Sequence, residues 1–233
     1  MPNKLSLLTM IFLGVLFASQ RLVAMDIRLA TQPAGSTLTI KGEPYINCAM
    51  AKLNQSFTIN YMPWKRAQSD TKLGHADGFF MASQNKDRDA YATLSDPIFV
   101  IKWLYITTKA RHISPQDSDF FSKVFAANLG SARHSWLVNQ SHNGIINKDI
   151  SAPPDPASLL KMLLVGRVDV ALMNSTEFNE NVKILGIDTN QLNTYVEREK
   201  PVGLYFSKAF NLDNPKFLNR FNISINACKK QME

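Results

Sequence analysis

The chain has 233 residues, 45% of them hydrophobic and 19% charged, with 10 Gly and 11 Pro. That composition is globular; it excludes a disordered tail protein, a collagen, a coiled coil and a multi-pass membrane protein. The formal charge is +7, from 26 Lys and Arg against 19 Asp and Glu. The bases are scattered, with no stripe or basic helix face interleaved with aromatics, so nucleic acid is not an expected partner. A mildly basic protein does favour small anionic ligands.

Residues 1–24 read as a secretory signal peptide. Lys4 supplies a positive n-region, residues 5–18 form an apolar run, and Val23-Ala24 ends a c-region. The run is shorter than the roughly 20 residues of a membrane span. Cleavage is expected after Ala24, with a cut near Ala18 or Ser19, or an uncleaved anchor, as the alternatives. Removal takes Lys4 and Arg21 and no acid, leaving 24 basic against 19 acidic residues, a balance of +5. The expected location is therefore the periplasm. In an oxidising compartment two lone cysteines, Cys48 and Cys228, more often pair than not. Two buried thiols are the other reading.

Along the mature chain, residues 26–31 alternate as a strand and a turn-rich loop follows through Ser36. Residues 44–55 have helical apolar spacing at Ile46, Ala49, Met50 and Leu53. A strand is expected over 57–62, a helix over 64–73 stopped by Gly74, and a strand over 77–82. Residues 98–108 are a long apolar run. Further strands are expected over 123–129 and 168–173, and helices over 132–140 and 157–165. Asp155 and Pro156 are the N-cap and first residue of the second of these helices. Residues 192–197 and 203–207 read as two more strands, and 215–229 as a closing helix. Strand and helix alternation of this kind predicts an α/β protein with parallel pairing.

One internal correspondence stands out: Gly74-x-x-Asp77 with Met81 and Ser83 recurs as Gly166-x-x-Asp169 with Met173 and Ser175. Each copy runs from a helix end into a strand. It predicts two α/β lobes whose strand ends, residues 81–83 and 173–175, face one cleft, since open α/β sheets bind ligands at the carboxyl ends of their strands. Asp77 and Asp169 sit at strand starts and are read as structural. The histidines (His75, His112, His134 and His142) lack metal-ligand spacing, and no metal or cofactor is expected. No nucleophile elbow, P-loop or dinucleotide fingerprint is present. Ser-x-x-Lys occurs three times and means little alone.

The order Trp64-Lys-Arg-Ala67, Gly74-x-x-Asp77, Lys86-Asp-Arg88 and Leu94-Ser-Asp-Pro-Ile98 resembles the periplasmic solute-binding proteins of family 3, the amino-acid-binding type that serves ABC transporters. The second half agrees, with Leu129-Gly-Ser131, then Gly166-Arg-Val-Asp169-Val-Ala171, then Leu204-Tyr-Phe-Ser-Lys208. The resemblance covers about residues 26–230. It implies a two-lobed type II periplasmic-binding-protein fold, each lobe a mixed sheet flanked by helices, joined by a two-strand hinge near 105–108 and 203–206. The lobes would be 25–107 with 204–233, and 108–203. It also places Cys48 and Cys228 on neighbouring helices of one lobe, which favours the disulfide.

The implied function is capture of a small, carboxylate-bearing solute for an ABC importer. A periplasmic sensor reporting to a membrane receptor is the second reading, and an enzyme on the same scaffold a distant third. The partners would be an amino acid or organic anion and an ABC permease or membrane sensor, and the protein a monomer. Arg88 stands where such proteins hold the ligand carboxylate, and a guanidinium has the planar fork for it. Ser83 adds donors, Ser131 and Arg133 stand at a helix N-terminus, and Trp64 supplies an aromatic wall. Plainer roles remain open: ion pairing for Arg88, core packing for Trp64, capping alone for Ser131. Two departures matter. Pro33-Ala34-Gly35 replaces the usual aromatic after the first strand. Asn174 stands where a carboxylate would meet a ligand α-ammonium, with Glu177 as the possible substitute.

Overall fold

The computed structural model describes residues 26–146 and 149–232; the expected signal peptide lies outside them. β1 (Ile27–Thr31) leads to α1 (Thr37–Lys52), β2 (Phe57–Tyr61), α2 (Trp64–Lys72), β3 (Gly78–Ser83), the one-turn α3 (Lys86–Asp89) and β4 (Ala92–Leu94). The long β5 (Phe99–Thr108) carries the chain to β6 (Phe125–Ala126), α4 (Ala132–His142), α5 (Pro156–Leu164), β7 (Val170–Asn174) and α6 (Ser175–Ile184). β8 (Leu192–Ser207) returns it to α7 (Lys208–Asp213) and α8 (Phe217–Met232).

The strands run in the order β2-β1-β3-β8-β5-β7-β6, with β4 also on β8. β1 pairs in parallel with β2 and β3, and β6 in parallel with β7, as the strand and helix alternation requires. β8 is antiparallel to β3 and β5, and β5 to β7. The two halves of the sheet share a ladder of only two strands: residues 99–102 of β5 pair with β8 alone, and β7 joins β5 from Trp103 onward. On β8, Val202 pairs with both Ser83 and Phe99, so the change of partner falls there.

Several elements depart from their expected bounds. α1 begins at Thr37, not Pro44, and holds Pro44 within it. Burial of Leu38, Thr39 and Gly42 outweighs the proline penalty, a tertiary override of local propensity. The two late strands are one, because residues 198–202 keep pairing with β5 through the gap. The strand expected over 123–129 shortens to Phe125–Ala126. α6 was not anticipated at all. The expected cap of α5 is present: Asp155 Oδ1 accepts from the Ser158 amide at 2.8 Å, with Pro156 in the first turn.

The main core joins α1 and α8 to the sheet through Leu29, Ile46, Met50, Phe206, Phe221 and Ile225. α8 turns Phe217, Phe221, Ser224, Ile225 and Cys228 inward, one stripe of a 3.6-residue period. Cys228 meets Cys48 of α1 in a disulfide with a Cα separation of 6.1 Å. Leu159, Leu160 and Leu163 of α5, with Phe178 and Val182 of α6, build a second core on β7.

The internal correspondence is a real structural unit. Asp77 accepts from the Arg28 amide at 2.8 Å and from Arg28 Nη2 at 2.7 Å, while that guanidinium also donates to Gly74 O. Asp169 accepts from the Val124 amide at 2.8 Å and pairs with Arg111, whose Nη2 donates to Gly166 O. In both copies the carboxylate ties a strand start to a backbone amide of a neighbouring segment and to an arginine that reaches the helix end before it, with Gly74 and Gly166 at positive φ. Arg111 is about two-fifths exposed in this pair, so screening limits its value. Arg111→Ala should lower unfolding free energy by less than about 1 kcal/mol and leave ligand affinity unchanged. A urea titration beside a binding isotherm checks both; a large loss of affinity would place Arg111 in the site.

Candidate functional site

The carboxyl ends of β1, β3, β6 and β7 meet between the two halves of the sheet. They line a cavity of ≈ 70 Å³ with Gln32, Met81, Ser83, Asn128 and Asn174. Side chains from α2, α3, α4 and α6 complete it with Trp64, Arg88, Ser131, Arg133 and Glu177. The structure thus brings all six sequence-nominated residues, Arg88, Ser83, Trp64, Ser131, Arg133 and Asn174, to one cleft.

Arg88 is placed by local structure. Asn85 Oδ1 accepts from the Asp87 amide and so caps α3, which holds Arg88 as its third residue. Tyr205 fixes both ends of that turn: its hydroxyl donates to Asp89 at 2.7 Å and accepts from the Asn85 amide at 3.0 Å. Burial, with the bond to Asp89, raises the Tyr205 pKa, so the phenol stays a donor. The Arg88 guanidinium is 2% exposed and lies against two rings, its carbon 5.2 Å from the centre of Trp64 and 5.8 Å from that of Phe79. It donates to Gln68 Oε1 at 3.0 Å, Ser83 O at 2.7 Å and Gly130 O at 3.1 Å. None of these partners is a carboxylate. Three of five N–H groups are taken, leaving one on each terminal nitrogen. Burial pulls its pKa down to about 10, still far above neutrality, so the cation persists in a dry setting where an anion would be strongly attracted.

The opposite wall is built differently. Ser131 caps α4 by accepting from the His134 amide at 3.0 Å, and still lines the cavity. Arg133 and Glu177, both buried, pair at 2.6 Å. Asn174 Oδ1 accepts from the Glu177 amide at 2.7 Å and starts α6. Four buried polar atoms here have no partner: Arg133 Nε, Asn174 Nδ2, and both Nδ2 and Oδ1 of Asn128. Buried polar atoms are normally satisfied, so such a cluster beside a cavity marks a place for a polar guest.

Met81 shapes the floor. It sits at φ 64 where the β3–β8 register shifts between Phe80 and Ala82. A bulge of this kind re-aims neighbouring side chains. Its sulfur occupies the space a Cβ on Gly42 would need, 1.9 Å away, so any larger residue at that point of α1 would have to displace the Met81 side chain.

Sequence reasoning placed Met81 at the cleft as part of the strand end 81–83 and missed Asn128, Gln32 and Gln68. Asn128 and Gln32 follow β6 and β1, so the strand-end rule alone would have pointed to them. α6 had a local signal too, the Asn174-x-x-Glu177 spacing of a capped helix start. Gln68 carried no such signal.

Hydrogen bonds join the two halves across the cleft. Gly130 O accepts from both Arg88 and Gln68, and Asn85 Nδ2 donates to Ser135 Oγ. The α1 N-terminus has no acid in its first turn and no side-chain cap from Ser36. Glu180 of α6 supplies one instead, accepting from the Thr37 amide at 3.2 Å. Removing a helix cap costs about 1 kcal/mol, roughly a fivefold change in equilibrium. Glu180→Ala should therefore shift the protein toward the open form and weaken ligand binding about fivefold. Small-angle scattering with and without ligand reads the first effect and calorimetry the second; an unchanged affinity would remove Glu180 from closure.

No protein-family model and no curated protein matches the sequence. Solved structures share the fold. A histidine kinase sensor domain with similarity to periplasmic binding proteins aligns over 89% of this chain and 92% of its own, at 13% identity and a TM-score of 0.73. The substrate-binding protein of an ABC uptake transporter from Streptococcus pneumoniae, solved with histidine, aligns over 88% and 87%, at 15% identity and a TM-score of 0.70. The arginine-, lysine- and histidine-binding protein ArtJ from Geobacillus stearothermophilus aligns over 89% and 90%, at 13% identity and a TM-score of 0.68. The chain has the two-lobed periplasmic-binding-protein fold. Among the described residues no helix is long and apolar enough to cross a membrane.

Proposed function

We propose that this protein is an exported solute-binding protein that closes its two lobes on a small, carboxylate-bearing ligand and delivers it to an ABC importer. The observation that carries the reading is Arg88, a fully buried cation without a carboxylate partner, lining a cleft between the lobes. Binding there needs no catalytic group, and the protein acts by capture, not turnover. The lobes are those expected from sequence, 25–107 with 204–233 and 108–203, with each boundary moved back to the hinge. The hinge is assigned to the two-stranded ladder of residues 99–102 and 199–202, upstream of the 105–108 read from sequence. Export rests on the signal peptide read in residues 1–24, and the working state is a monomer.

The fold shared with a histidine kinase sensor domain supports a second reading, in which the same closure is reported to a membrane receptor. Adjacent permease and ATPase genes would favour import, and an adjacent sensor gene signalling. The capture itself is tested by a thermal-shift screen of amino acids, organic acids and small anions, repeated on Arg88→Ala. A stabilising ligand lost in the variant is expected. A library that stabilises nothing, with scattering unchanged throughout, would defeat the proposal.

A further inference from the structure

We infer that the ligand is a short monocarboxylate carrying a second oxygen on the neighbouring carbon, a 2-hydroxy or 2-oxo acid, and that the cleft rejects α-amino acids. The inference rests on the reading of the cleft given above. Three charged side chains line the cavity: Arg88, Arg133 and Glu177. Arg133 and Glu177 neutralise one another at 2.6 Å, which leaves the single positive charge of Arg88. A monoanion matches that charge. A zwitterion leaves it uncompensated, and a dianion overshoots it and competes with Glu177 for Arg133.

An α-ammonium also meets few free acceptors. It brings three N–H donors. The carbonyls beside Arg88, those of Ser83 and Gly130, already accept from that guanidinium. Asn174 lines the cavity without a charge, and its one oxygen is held by the Glu177 amide. That bond fixes the orientation of the amide, because the nitrogen could not accept there, so Asn174 turns a donor, Nδ2, to the unpartnered side. Glu177 keeps Oε1, but its charge is balanced by Arg133.

Donors dominate what is unsatisfied. Arg133 Nε and Asn174 Nδ2 can only donate, and Asn128 offers one donor and one acceptor whichever way its amide is turned. A carbonyl oxygen uses the donors, and a hydroxyl can use both kinds. Size agrees. The cavity is small, ≈ 70 Å³, which suits a short ligand.

The experiment is calorimetric titration of the mature protein with lactate, pyruvate, 2-hydroxybutyrate, acetate, succinate, glycine, alanine and serine. Lactate or pyruvate is expected to bind at least about tenfold tighter than alanine, which has the same skeleton, and tighter than acetate or succinate. Asn174→Asp keeps the oxygen that caps α6 and adds a carboxylate; it should move the alanine-to-lactate affinity ratio at least about tenfold toward alanine. An α-amino acid that binds the parent as tightly as its hydroxy or oxo counterpart overturns the inference, as does an unchanged ratio in Asn174→Asp. If that amino-acid binding disappears in Arg88→Ala, the capture site stands and only the ligand class falls. If no carboxylate of any class binds, both fall.

Discussion

Arg88→Ala should weaken binding of the carboxylate ligand by about 100-fold or more. The residue offers one free N–H on each terminal nitrogen, a pair matched to the two oxygens of a carboxylate. Hydrogen bonds to charged groups are worth roughly 1.5–3 kcal/mol each, and 1.4 kcal/mol is a factor of ten. The position is fully buried, so little of that is lost to screening. Truncation also removes a direct tie between the lobes, the bond to Gly130 O, and so disfavours closure as well as contact. Arg88→Lys should recover only part of the affinity, because a point charge cannot reproduce the fork or span Ser83 O, Gln68 and Gly130 O together. Calorimetry on both variants, with circular dichroism to establish folding, decides the matter. Parent-like affinity in a folded Arg88→Ala would remove Arg88 from the site.

Breaking the Cys48–Cys228 bond should lower the stability of the protein substantially. The bond closes a loop of 180 residues between α1 and α8. In the chain-entropy account a loop of that length contributes about 5 kcal/mol, and removal of native disulfides typically costs roughly 2–5 kcal/mol. Cys228 is fully buried, so alanine is the better replacement, since serine would add an unpaired hydroxyl. The double variant Cys48→Ala/Cys228→Ala should melt roughly 5–20 °C below the parent. Reduction of the parent should lower its melting temperature by a similar amount. Two reactive thiols per chain in unreduced, unfolded protein, or identical melting of variant and parent, would show that the bond does not form or does not matter. Ligand affinity should change little, because both cysteines lie on helices behind the sheet, away from the cavity lining.

What the sequence determined by itself was whatever is encoded in short windows. Strand and helix alternation announced parallel pairing, and the Asp155-Pro156 start and the apolar stripe of α8 were readable because caps and periodicity are local. The repeated Gly-x-x-Asp unit was visible because each copy builds the same carboxylate tie within its own half. Those units also placed the strand ends, and hence Ser83 and Asn174, at one cleft.

Only the tertiary structure decided how the site's polar groups are used. Sequence left Glu177 as a possible ammonium partner. The fold sets it against Arg133, 44 residues away, and turns Asn174 into a cap that offers only a donor. The Thr37–Glu180 contact joins residues 143 positions apart, and Arg88 reaches Gly130 across the cleft. Hydrogen-bond partners in a closed cleft depend on how two lobes meet. Spacing along the chain carries no record of that meeting, nor of the packing within one lobe that sets Arg133 on Glu177, so the charge left over for a ligand could be counted only after folding.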